Sequence, residues 1–191
     1  MSWNDVEGRS EGREKVPYAK LNPGTTTIRI LDNEPYSFWN HWLAHQNTGV
    51  TCLGKDCPIC AVIAEQRANK DMEKKYNSSQ RHALRIWNYT TNQMEVLVQG
   101  KTFMQQLLTY HKEVGDITGY DIKVIRSGSG TDTTYTMIPQ VPAEFNAEGK
   151  EIVDVDFKEY FKPLDREKVI QLMEGKSYEE IFAKSSDGNA A

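Results

Sequence analysis

The sequence predicts a mainly β chain with α insertions, an α+β fold of short strands joined by hairpins. Three observations carry this. β-Branched and aromatic runs bounded by Asn, Gly and Pro recur five or six times along the chain. One segment of helical period, Lys101–Lys112, falls between two hairpins. Three cysteines crowd into the interval from Cys52 to Cys60, a pattern that points to a metal-organised insertion rather than a secreted disulfide framework.

Taken in order, residues 1–16 mix Gly, Ser and charge without apolar period and read as a flexible arm. Thr25–Leu31 follows the Asn22-Pro23-Gly24 turn as a β-branched strand, and Tyr36–Leu43 is an aromatic one. Turn chemistry at Gln46–Gly49 lets Val50–Cys52 return as its partner. Ala61–Tyr76 has helical composition. Arg81–Tyr89 and Met94–Gln99 form a hairpin; Tyr120–Arg126 and Thr133–Ile138 form a second around Ser127–Thr131. Pro139 and Pro142 are expected to end the sheet. Beyond them lie two short helices, Leu164–Glu174 and Tyr178–Lys184. This strand order predicts a Greek-key barrel of the OB type over 17–140, with a metal-binding lobe inserted at about 36–76. An acidic helical lobe follows over 141–184, then a disordered tail over 185–191.

The 191 residues are 38% apolar and 10% aromatic, enough to bury a core. No apolar run approaches the roughly 20 residues of a membrane span, and the start is not signal-like, so a cytoplasmic protein is expected. The formal net charge of −4 is unevenly spread. Residues 1–139 carry 16 basic against 15 acidic side chains, whereas 140–191 carry 7 against 12. The first three quarters are thus free to meet an anion.

Cys52, Cys57 and Cys60 have the spacing of a zinc knuckle, with Pro58 inside the last pair. Three thiolates ask for a fourth ligand, and His41 and His45 lie upstream on one face of the same strand. They are about 13 Å apart at strand rise, so only one can join. With the turn centred near Asn47-Thr48, Leu43 faces Cys52 and His45 faces Val50. That register favours His41, with His45 in reserve. Four protein ligands close the coordination sphere, so one structural Zn2+ is expected rather than a catalytic one.

Strand alternation places Leu84 and Ile86 inward and Arg85, Trp87 and Tyr89 outward. Arg29, between Ile28 and Ile30, should point the same way, and Tyr135 should stand outward opposite Arg126. Rings interleaved with cations suit single-stranded nucleic acid, since rings stack on bases and cations follow phosphates. The expected phosphate contacts are Arg29, Arg85, Lys101 and Arg126; the expected stacking rings are Trp87, Tyr89 and Tyr135. No deaminase, His-Glu-x-x-His, Walker or Gly-x-Ser-x-Gly signature is present, so no enzymatic activity is expected.

The succession TTIRIL, FWNHW, VTC, CPIC, RIW, YDIKVIRSG and TYTMIP resembles the single-stranded DNA-binding, helix-destabilising proteins of T-even-like tailed bacteriophages. The likeness spans about residues 18–139. It implies a zinc-containing OB-fold with His41, Cys52, Cys57 and Cys60 as ligands, and a cleft that includes Arg29, Arg85, Trp87 and Tyr135. It implies a protein that coats single-stranded DNA during phage replication, recombination and repair, with phage replication and recombination proteins as partners. The rival expectation is a zinc-stapled interaction protein that docks on a host or phage replication or transcription enzyme.

Overall fold

A computed structural model describes residues 16–182. The expected arm, apart from Val16, and the expected tail lie outside those residues. Seven strands form: β1 Gly24–Ile30, β2 Tyr36–Leu43, β3 Thr48–Thr51, β4 Tyr76–Asn88, β5 Gln93–Gln99, β6 Tyr120–Ser127 and β7 Thr134–Pro142. The helices are α1 Pro58–Ala68, α2 Lys101–Val114, α3 Phe157–Tyr160, α4 Arg166–Met173 and α5 Tyr178–Phe182. Among the described residues, no helix is long and apolar enough to cross a membrane.

The strands make one sheet in the order β3-β2-β4-β1-β6-β7, with β5 also on β4. The sheet is open, so the expected OB barrel does not form; the fold is a mixed α/β arrangement around a large sheet. Both outer strands that a barrel would have to join are already engaged. On β5, Val96 N–H donates to the Pro17 carbonyl at 2.8 Å and its own carbonyl accepts from Ala19 N–H at 2.9 Å. On β7, Pro139 and Pro142 have no N–H to donate. Helix α2 supplies partners for β7 instead: Gln106 Nε2 donates to the Tyr135 carbonyl at 3.0 Å, and the Tyr110 hydroxyl donates to the Met137 carbonyl.

The two prolines also correct an expected boundary, because β7 runs through both of them. An edge strand tolerates missing donors, and the register slips between Tyr120 and Ile122, opposite Pro142 and Pro139. Helix α1 stops at Ala68, eight residues before the expected end at Tyr76. There the buried Gln66 side chain closes the connection to β4, accepting from Lys75 N–H at 3.0 Å and Tyr76 N–H at 3.3 Å while donating to the Tyr76 carbonyl at 3.2 Å.

Contacts divide the described chain into two compact units. The first joins residues 39–79 to 161–182, so α4 and α5 pack with the cysteine segment instead of continuing a lobe that begins at 141. Its core is Leu43, Val50, Ile59, Ile63, Tyr76, Val169 and Leu172. The second joins 16–38 to 80–160 around Ile28, Ile30, Leu84, Ile86, Leu97, Phe103, Leu107, Ile122, Val124 and Met137. Strands β2 and β4 run from one unit into the other.

A candidate metal centre and a candidate nucleic-acid interface

Local structure delivers four ligand atoms to one point in the first unit. His41 is fully buried on β2, and Cys52 follows the end of β3. Cys57 is the N-cap of α1, with Pro58 at the first helical position and Cys60 in the first turn. The His41 Nε2 lies 3.4 Å from Cys57 Sγ and 3.5 Å from Cys60 Sγ, and the Cys52 and Cys60 sulfurs are 3.6 Å apart. All four ligand atoms lie within 4.8 Å of one another. A tetrahedron with zinc–sulfur bonds of about 2.3 Å has sulfur–sulfur edges of about 3.8 Å, whereas a disulfide needs about 2.05 Å. The His1Cys3 cluster therefore has the geometry of a metal site and not of a disulfide.

The surroundings favour the ionisation state a metal requires at His41 and Cys57 and oppose it at Cys60. Burial pushes the His41 imidazole below its ordinary value and so favours the neutral ring, with the Asn77 backbone as a smaller opposing influence. For Cys57, burial is the largest influence and acts upward. It is outweighed by the Cys60, Leu53 and Ile59 backbone and the Cys52 side chain, so the thiol sits below its usual value. Cys60 is pushed up to about 12, by burial first and then by the neighbouring sulfurs. Gly54 N–H donates to Cys52 Sγ at 3.3 Å, from a turn whose positive φ of 86° suits glycine.

The hairpin register differs from the expected one. Leu43 pairs with Thr48 and His41 with Val50, because Ala44–Gln46 forms a 3-10 turn closed by Asn47 in the left-handed region. The turn sits two residues earlier than expected, and a shift of two preserves side-chain parity, so His41 still faces the cysteines. His45 stands apart from the cluster. Its Nε2 is 3.2 Å from the Leu172 carbonyl, and its ring packs edge-on against Tyr76.

In the second unit, Arg29 and Trp87 are register partners on β1 and β4, and the structure brings Arg29, Arg85, Trp87 and Tyr89 onto one face. Each is engaged. Arg29, 1% exposed, donates from Nε to Asp121 at 2.6 Å and from Nη1 to the Thr118 and Ala143 carbonyls. Arg85 pairs with Asp32 at 2.6 Å and with Asp154 at 3.0 Å. Tyr89, 39% exposed, donates its hydroxyl to Asp121 at 2.9 Å; burial first, then Asp121, raises its pKa. Trp87 is buried, and its Nε1 has no hydrogen-bond partner among the described residues.

Three expected contacts lie elsewhere. Tyr135 does pair with Arg126, but on the core side of the sheet, where its ring meets Phe103 edge-on at 5.3 Å. Arg126 Nη1 donates to the Leu21 carbonyl at 3.0 Å. Lys101 is exposed at the start of α2. Threonines flank Tyr135 on both sides and suit either face of a strand, so alternation alone misdirects that ring.

Sequence reasoning missed what covers the face. Residues 143–156 form neither helix nor strand and lie over it. The Phe145 ring is 6.2 Å from the Trp87 ring and 5.8 Å from the Arg29 guanidinium carbon. The Lys150 ammonium sits over both rings, at 5.4 and 5.5 Å. Arg85 Nη1 donates to the Val153 carbonyl at 3.1 Å. The segment has no apolar period, and its composition reads as solvated loop.

No protein-family model matches this chain, and no curated protein matches it. The likeness to phage helix-destabilising proteins is therefore not upheld, and the open sheet is not the barrel it implied. The phage assignment falls with it.

Proposed function

We propose that this protein binds single-stranded DNA with little sequence preference, acting where strands are exposed in replication, recombination or repair, and that one structural zinc ion staples its first unit. The observation that carries the reading is the face shared by Arg29, Arg85, Trp87 and Tyr89. Aromatic rings stack on any base, and rings set among cations match the chemistry of an unpaired strand. His41, Cys52, Cys57 and Cys60 would hold the zinc, which supplies a rigid tie between β2 and the start of α1. Four protein ligands leave no open position, which supports a structural metal and a non-catalytic protein.

The test is a fluorescence titration at low ionic strength. Oligo(dT) should quench tryptophan emission, a duplex of equal length should do so much less, and added salt should weaken binding steeply. Equal responses to the two nucleic acids would overturn the reading. Two observations favour a second reading, a zinc-stapled module that docks on a replication or transcription enzyme. Trp39 is 54% exposed in the first unit, and the Arg29 charge is already matched by Asp121. A chain that carries its zinc yet ignores oligo(dT) at low salt would favour that module.

A further inference from the structure

We propose that Ala143–Asp156 is an internal occupant of the Arg29–Trp87 face, seated where a DNA strand binds and displaced when the strand arrives. The inference rests on the reading of that face as a nucleic-acid interface.

The segment presents the chemistry of the ligand it would stand in for. Phe145 lies against Trp87, where a base would stack. The Ala143 and Val153 carbonyls and the Asp154 carboxylate accept the guanidinium N–H groups that phosphate oxygens would accept. Five acids, Glu144, Glu148, Glu151, Asp154 and Asp156, outnumber the one base, Lys150. Beneath the segment, the buried Trp87 Nε1 keeps a donor that nothing in the segment satisfies. The occupant thus matches the charge and ring of the face but leaves one polar group open to a different ligand.

Its hold is also weaker than that of the sheet beneath it. The segment joins no strand ladder, and the Asp154 side chain is 95% exposed where it meets Arg85. Asp32, by contrast, is 12% exposed and accepts both the backbone N–H and the guanidinium of the same arginine. Displacing the segment therefore leaves Arg85 oriented by Asp32, and Arg29 by Asp121 and the Thr118 carbonyl. Most residues of the segment are exposed, and such a segment opens at low cost relative to global unfolding.

The experiment compares oligo(dT) titrations of the full wild-type chain, Asp154→Asn and Phe145→Ala/Asp154→Asn at low ionic strength. Asp154→Asn alters an exposed side chain and leaves the fold intact, so it keeps the test sound if the double variant is poorly folded. Loosening the occupant should tighten binding, by about tenfold if it covers the face nine-tenths of the time. In parallel, oligo(dT) should speed cleavage of the wild-type chain by a glutamate-specific protease at Glu148 and Glu151. If the wild type binds but Asp154→Asn binds no more tightly, or if oligo(dT) protects Glu148 and Glu151, this inference fails while the binding reading stands. If neither wild type nor variants bind oligo(dT), both fail together.

Discussion

Asp32 grips Arg85 twice: its Oδ2 accepts the backbone N–H of that residue at 2.6 Å, and its Oδ1 accepts the guanidinium Nε at 2.7 Å. One carboxylate just past β1 thereby fixes both the path of β4 and the direction of a cation on its outer face. Asp32→Asn keeps the shape but removes the charge. It should lower stability by about 1–3 kcal/mol, read as a reduced urea midpoint at unchanged slope. An unchanged midpoint would mean that Arg85 is oriented by something else.

Metal removal should dissolve one unit and spare the other. Structural zinc contributes on the order of 10 kcal/mol to the folding of small metal-bound lobes. With a strong chelator, amides in 39–79 and 161–182 should lose exchange protection while β1, β5, β6 and β7 keep theirs. His41→Ala should abolish stoichiometric zinc, whereas His45→Ala, whose ring meets Tyr76 and the Leu172 carbonyl, should retain it. Zinc retained by the first variant and lost by the second would exchange the two roles.

The outer rings should separate packing from binding. Tyr89 is partly exposed, so Tyr89→Ala should weaken oligo(dT) binding by about 1–3 kcal/mol with little effect on the melting temperature. Trp87 is buried, and Trp87→Ala should cost about 3–5 kcal/mol of stability. Trp87→Phe fills most of the same space and should keep the fold while removing much of the DNA-dependent quenching. Quenching that survives Trp87→Phe in full would assign the signal to another tryptophan.

Alkali should act through Tyr178. Burial pushes its hydroxyl from 10.0 up to about 12. Because the folded value lies above the unfolded one, the associated stability is complete below about pH 10 and is lost as pH climbs toward about 12. A shift of this size corresponds to roughly 2–3 kcal/mol at most. Tyr178→Phe should flatten that stretch of the stability curve, measured as urea midpoints across the alkaline range; an equally steep curve in the variant would exclude Tyr178 as the cause.

Local patterns were readable wherever local chemistry decides the outcome. The bounds of β2 follow from its aromatic run and flanking turns, and the histidine choice survives because the displaced turn keeps His41 in the strand opposite Val50 and carries His45 into the 3-10 turn. Barrel closure is decided elsewhere, by the Pro17–Ala19 backbone on β5 and by the Gln106 and Tyr110 side chains on β7. Those partners are remote in sequence and carry no periodic mark, so a meander of hairpins reads equally well as closed or open. The cover over Trp87 was illegible for a similar reason: Phe145 and Lys150 sit in irregular, polar chain whose placement depends on the face it meets. The ion pairs of Arg29 and Arg85 leave no mark in the strand pattern, because alternation cannot tell a matched cation from a free one.

The first unit is discontinuous, and that fixes an order of events during synthesis. The cysteines and His41 leave the ribosome early, whereas Val169 and Leu172, which fill the same core, emerge about a hundred residues later. An ion taken up by these ligands would arrive before Ile59 and Ile63 have their helical cover. Until α4 arrives, those side chains remain open to chaperones or to neighbouring chains, and an ion bound by the cluster would hold the waiting lobe in register.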